Sequence, residues 1–210
     1  MGCTSEQGGG CASDEQNVRR VTVDGFYIGM LEVTQSQWEK VVGTSIYQQW
    51  TKIFSGSPNR GVGPDYPMYC VSWDEAMEFC RLLSNKTGRT YTLPTEAQWE
   101  YAARGGNKNE GTKYAGSNVI DAVAWYSNNS GSTAHIVGSK RANALGIYDM
   151  SGNVEEWCWE RYGNDTQRRY AGGDWRIESI SSFDLSDLRQ SWNLTTCGSQ
   201  WGFRPVRNAE

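Results

Sequence analysis

Between residues 107 and 145 the chain loses every regular period. Apolar residues recur there neither at the spacing of two that marks a half-buried strand nor at the spacing near 3.6 that marks a helix. Yet Tyr114, Val123, Trp125 and Tyr126 are large side chains that gain by burial. So long a segment without secondary structure is uncommon in a compact domain unless it is ordered by its own side chains, and an ordered, irregular loop region is expected here. Ten tryptophans and 24 glycines among 210 residues extend that reading to the whole chain. Many turns holding flat side chains argue against a helix bundle or a parallel α/β fold and for an irregular α+β fold. The length fits one sizeable domain.

The regular elements are few. Residues 18–28 alternate apolar and polar and predict a strand. Thr34 as N-cap predicts a helix with Trp38, Val41 and Val42 on one face. Residues 43–68, rich in Gly, Pro, Ser and Asn, read as loop. Ser72 and Glu75 form a capping box for a second helix whose stripe is Ala76, Phe79, Cys80, Leu82 and Leu83, ending at Gly88. Pro94 opens a third helix, Thr95 to Arg104, expected to bury Ala97, Trp99, Tyr101 and Ala102 before Gly105-Gly106 stops it. Trp157, Cys158 and Trp159 read as a strand with Trp157 inward.

A net charge of −4 offers no footprint for nucleic acid, which wants clustered Lys and Arg. Six cysteines include no C-x-x-C pair, so neither a zinc site nor a thioredoxin-like motif is indicated. Cys70 and Cys80 could approach across a loop-to-helix junction, but they read as buried free thiols. Residues 1–16, small, polar and Gly-rich, read as a flexible tether before a domain at 17–210. Gly2-Cys3 followed by such a tether is how a mature bacterial lipoprotein begins, with the lipid on the cysteine. That would tie the chain to the bacterial outer surface, possible membrane contact being confined to Cys3, although a frayed terminus has the same composition.

The segment 170–207 differs from the rest. Two rigid-looking ends, Gly172-Gly173-Asp174-Trp175 and Trp201-Gly202-Phe203-Arg204, bracket an aperiodic interior of Ser, Thr, Asp, Asn, Arg and aromatic residues. Small polar residues give adaptable hydrogen bonds and aromatics give area at low entropic cost, which is how antibody contact surfaces divide the labour. The alternative is a polar loop with a few aromatics tucked into the core. As a contact surface it would use Trp175, Arg176, Glu178, Ser181, Phe183, Asp184 and Asp187, followed by Arg189, Trp192, Asn193, Thr195, Thr196, Gln200 and Trp201. Phe183, Trp192 and Trp201 would anchor, and Arg176, Asp184, Asp187 and Arg189 would set charge complementarity. The expected partner is a macromolecular ligand, protein or other cell-surface component, met by a monomer.

Four blocks, DGFYIGMLEVTQSQWEKV, PMYCVSWDEAMEFCRLLSNKTGRTYTLPTEAQWEYAARGG, NALGIYDMSGNVEEW and GGDW with WGFR, resemble in order the signatures of the formylglycine-generating-enzyme (sulfatase-modifying factor) domain. The resemblance covers about residues 18–207 and implies a C-type-lectin-like α+β fold with two main helices, a small antiparallel sheet and much irregular structure. Oxidase members bind copper with a cysteine pair between the GGDW-like and GFR-like ends of the last block; here residues 175–196 hold none, Cys197 stands too near the WGFR end, and Asp174 replaces a serine. Another branch builds an iron site from several histidines, and this chain has only His135, read as a loop-packing residue. The expectation is therefore a non-enzymatic member, the alternative being a divergent oxidase using Cys197. The variable proteins of diversity-generating retroelements, spirochaete members above all, share this fold and hypermutate the corresponding segment for ligand binding. The resemblance also makes Asp149, Asn153 and Glu156 candidate calcium ligands, no other cofactor being expected; Asp149 and Asn153 could instead form a turn bonding neighbouring backbone N–H groups. Arg204 resembles the family's buried structural arginine.

Overall fold

The same four-residue device opens each of the four α-helices in the described part of the molecule: a Ser or Thr whose oxygen accepts from the backbone three residues on, answered by a Gln or Glu that accepts from the cap's own N–H. The computed structural model describes residues 1–7, 18–162, 167–178, 191–193 and 195–209. Helix α1 (Gln35–Val42) is capped by Thr34 with Gln37, and α3 (Trp73–Thr87) by Ser72 with Glu75. Thr95 with Gln98 caps α4 (Glu96–Ala103), so Pro94 stands before the cap, outside the helix. Helix α2 (Ile46–Trp50), capped by Ser45 with Gln48, lies within the stretch expected to be loop. Its capping box was legible, but a single turn amid Gly and Pro leaves no period to detect.

Helices α1 and α3 pack through Trp38 and Phe79, stacked at 5.8 Å, and Phe203 meets both rings edge-on at 6.2 and 5.1 Å. This cluster is the main core and takes in Leu93, Trp157, Tyr170 and Trp201. Tyr101 is a correction: it is 42% exposed, and α4 buries Glu96 and Glu100 along with Trp99. A helix that buries carboxylates defeats a reading based on apolar stripes.

Strand β1 (Phe26–Ile28) is shorter than the alternation over 18–28 predicts, because its antiparallel partner β6 (Val206–Asn208) offers only three residues. The second sheet runs β4-β3-β2-β5, from β2 (Glu155–Tyr162), β3 (Gln167–Ala171), β4 (Ser191–Asn193) and β5 (Trp201–Gly202). Three of these strands pair antiparallel but β5 joins β2 in parallel, so the sheet expected to be antiparallel is mixed.

The irregular region 107–145 is ordered as expected: Tyr114, Val123 and Tyr126 are buried with Ile120. Trp125 is only half-buried, stacked on His135 at 3.7 Å with Lys140 Nζ 3.9 Å from its ring centre. Residues 1–7 are not a free tether. Gly2 N–H donates to Glu100 Oε1 (3.0 Å), Arg104 donates to Gly2 O (2.8 Å) and Thr4 Oγ1 (2.9 Å), and Gln7 is buried. The remainder of the expected tether lies outside the described residues. Cys3 is disulfide-bonded, which occupies the sulfur a lipid would need, whereas Cys70, Cys80, Cys158 and Cys197 are free thiols.

Candidate ligand-binding face

Near the C-terminal end of the segment 170–207 a charged core is centred on Arg204, which is completely buried. Its guanidinium donates to both oxygens of Glu156 at 2.6 Å and to the carbonyls of Gly29 and Tyr148 at 2.9 Å. Glu156 Oε2 also accepts from Trp99 Nε1 at 2.9 Å, which ties α4 to the sheet. Glu32, which the sequence did not mark, accepts from Asn153 Nδ2 (2.6 Å) and Val154 N–H (3.1 Å). Arg204 therefore does what its resemblance implied, pairing a carboxylate and gathering carbonyls from distant loops.

The candidate calcium ligands are engaged in this network. Asp149 Oδ2 accepts from Gly138 N–H at 2.7 Å, Asn153 Oδ1 accepts from His135 N–H at 2.9 Å, and Glu156 is committed to Arg204 and Trp99. Asp149 and Asn153 sit at φ of +58° and +66°, where Asp and Asn are among the few side-chain-bearing residues found with any frequency. Asp149 Oδ2 and Asn153 Oδ1 thus accept from backbone N–H groups, as the turn alternative has it, while Glu156 is taken up by side chains and Asp149 Oδ1 has no hydrogen-bond partner among the described residues.

Burial shifts several carboxylates here upward. Burial, followed by the nearby charges of Asp149 and Glu156, raises Glu32 well above the ordinary carboxylate value. Burial raises Asp149 from 3.8 to about 6 and, at the start of α4, Glu96 from 4.5 to about 7. In the window from about pH 4 to 7 the folded protein keeps protons that the unfolded chain has lost, so stability falls as pH rises. Full ionisation of Asp149 or Glu96 costs up to about 3 kcal/mol each. Urea unfolding is expected to give a higher midpoint at pH 5 than at pH 8, and Asp149→Asn to flatten that difference; an unchanged profile in the variant would exclude Asp149 as a source.

Both ends of the segment are fixed from below. Gly172 stands at φ +97°, where a β-carbon would meet Trp99 Cζ2 at 3.1 Å, and its carbonyl accepts from Gly152 N–H at 2.7 Å. Asp174, in place of the family serine, is buried and accepts from the backbone and guanidinium of Arg176 at 2.6 to 3.2 Å. Trp175 and Trp201 correct the sequence reading, since each is 4% exposed. The Trp175 ring packs with Ala134 and Val154, with Arg60 at 5.2 Å from its centre, and its Nε1 reaches Ser199 O at 3.4 Å. Trp201 packs on Trp157 at 5.4 Å and Tyr170 at 5.9 Å, with Nε1 donating to Glu155 Oε2 at 2.7 Å. Composition marks tryptophan as a contact residue or as core, and only the fold decides which.

Between these anchors, Arg176, Glu178 and Thr195 are exposed, and Thr196 and Gln200 are half-buried. Trp192 and Asn193 lie on β4, paired with Arg168 and Gln167 of β3. Ser181, Phe183, Asp184, Asp187 and Arg189 lie outside the described residues. Beside the end of the segment, Cys70 N–H donates to Gly198 O at 3.0 Å. Burial pushes the Cys70 thiol up to about 12 and also raises Cys197.

A buried arginine locked to a glutamate, with a GGDW turn and a WGFR strand framing one segment, is an arrangement that can be compared with known proteins. The sulfatase-modifying factor enzyme 1-like domain matches residues 2–209. The chain belongs to that family. The chaperone protein LppX of Paenibacillus barcinonensis is 32% identical over 90% of this chain and 82% of its own length. The mouse formylglycine-generating enzyme is 29% identical over 68% of this chain, which spans about half (51%) of that enzyme. Among solved structures, Treponema denticola variable protein 1 superposes with a TM-score of 0.74 at 28% identity, covering 88% of this chain and 84% of that one. The fold is the C-type-lectin-like fold of the formylglycine-generating type, as the sequence blocks implied, and the likeness to a variable protein stands beside likenesses to family enzymes.

Proposed function

We propose that this protein is a non-enzymatic ligand-binding protein whose segment between Trp175 and Trp201 is diversified by a retroelement and displayed at a bacterial surface. The observation that carries the reading is the division of labour along that segment. Its end tryptophans are sunk into the core while Arg176, Glu178 and Thr195 face solvent, so these exposed positions can change without disturbing the frame. The similarity to Treponema denticola variable protein 1 supports the same reading. The partner is a protein or other macromolecule at a cell surface. With the Cys3 sulfur in a disulfide, display would depend on attachment other than a lipid there.

The test is to sequence the gene and its surroundings for a near-copy of the codons for residues 170–207. A copy differing almost only at adenines, close to a reverse transcriptase gene, is the expected result and would convert the differing codons into a list of binding positions. With no such copy the segment becomes a fixed surface and the reading fails. At the protein level, Glu178→Lys and Thr195→Arg are expected to change stability by less than about 0.5 kcal/mol, as exposed positions do, which thermal melts would check.

An oxidase is the second reading, favoured by one observation: the structure sets Cys70 beside the Cys197 end of the segment. Against it, burial holds both thiols protonated, whereas Cu(I) binding and redox exchange need thiolates. Copper-dependent oxygen consumption with a thiol peptide, abolished by Cys197→Ser, would establish it.

A further inference from the structure

We propose that Cys70 and Cys197 form a disulfide that fastens the end of the 175–201 segment to the loop leading into α3. Three observations on the folded chain converge on this pair. The hydrogen bond from Cys70 N–H to Gly198 O, 3.0 Å long, brings the two stretches into direct backbone contact. Cys197 directly precedes the acceptor Gly198, so the two cysteines stand one residue off a bonded backbone pair, and a disulfide bridges α-carbons about 4.4–6.8 Å apart. Both thiols lie in the field of the same Lys52–Glu75 ion pair, and Cys70 also feels Cys197. Finally, Cys70 is fully buried at φ +59°, a conformation that residues other than Gly, Asn and Asp rarely adopt. A cysteine placed there is explained if its sulfur is used.

The other free thiols do not compete. Cys80 has burial as the sole influence on its acidity, with no second thiol in its field. Cys158 is fully buried against Glu160, Glu96 and Glu156. The chain already carries one disulfide at Cys3, so an oxidising setting is consistent with its chemistry.

The bond forms by thiol–disulfide exchange with an oxidant of the glutathione disulfide class. The Cys197 thiolate attacks one glutathione sulfur and expels the other as a thiolate. The Cys70 thiolate then attacks the Cys197 sulfur and expels the second. The Cys70–Cys197 bond is made, the glutathione S–S bond is broken, and two electrons and two protons pass to two glutathione thiols. Because burial suppresses both thiolates in the finished fold, closure belongs to folding, while the sulfurs still meet water.

The test is to refold the reduced, denatured protein in a glutathione redox buffer, alkylate the remaining thiols and map the cross-links. Digestion must cut after Trp73 or Phe79, so that Cys70 and Cys80 fall in different peptides. The expected result is a linked peptide pair holding Cys70 and Cys197, with Cys70 recovered as an alkylated thiol in Cys197→Ser. Reductant should lower the wild-type Tm by about 5–10 °C more than that of the Cys70→Ser/Cys197→Ser variant, in which only the Cys3 disulfide is left to lose. Should Cys70→Ser fail to fold, Cys70→Gly, which suits the positive φ, replaces it. Recovery of both cysteines as alkylated thiols, or their linkage to other cysteines, would overturn the proposal. None of these outcomes depends on whether the segment binds a ligand.

Discussion

Replacing Arg204 with alanine is expected to cost about 3–5 kcal/mol, a large share of the roughly 5–15 kcal/mol that holds a domain folded. The guanidinium is the cation set among Glu156, Glu32 and Asp149, and it holds the carbonyls of Gly29 and Tyr148 from two separate loops. Removing it strands Glu156 in a dry site, where an uncompensated charge costs more than the pair itself contributes. Arg204→Met, which keeps most of the volume, should be nearly as damaging, and Arg204→Met/Glu156→Gln should recover at least half of the loss. Urea titrations of the three variants decide it. If Arg204→Met unfolds at the wild-type midpoint, the network is ornamental and the account given of this core is wrong.

Trp201→Ala carries the second large effect, about 3–5 kcal/mol, from lost contacts with Trp157 and Tyr170 and the cavity left behind. It also removes the donor to Glu155. The sequence reading made Trp201 a binding anchor, and the two views separate cleanly in experiment. A core residue takes Tm and far-ultraviolet circular dichroism down with it, whereas a contact residue would leave the melt untouched and weaken only binding. Trp201→Phe refines the test: it keeps an aromatic in the cluster and deletes the hydrogen bond, so its loss should be about 1–3 kcal/mol.

The sequence yielded whatever is encoded locally. The N-cap at Thr34, the capping box at Ser72 and the start signal at Pro94 placed three helices to within a residue or two, because the signal and its consequence lie within a few positions. The signature blocks carried the fold. What stayed hidden depends on residues far apart in the chain. The strand expected over 18–28 survives only at Phe26–Ile28, since β6 decides how much of it has a partner. Glu32 looks like an ordinary surface glutamate until Asn153 and Val154 close over it from 121 and 122 residues away. At the candidate face Glu178 and Thr195 are exposed, while Trp175 and Trp201, expected as contact residues, are sunk into the core. A large aromatic beside glycine serves interface and interior equally well, so composition could not separate them.

The order of parts along the chain has a genetic consequence. Arg204 and β6 follow the 175–201 segment, and β6 closes both on β1 and, through Val206, on Thr92. A frameshift or premature stop anywhere in that segment therefore deletes the cation on which the buried glutamates depend and the strand that holds the first half of the fold. A ribosome that garbles the segment releases a chain unable to close. Missense changes at exposed positions such as Glu178 and Thr195 leave the frame standing, and reading-frame errors remove the product altogether, so the fold itself would screen errors in this segment.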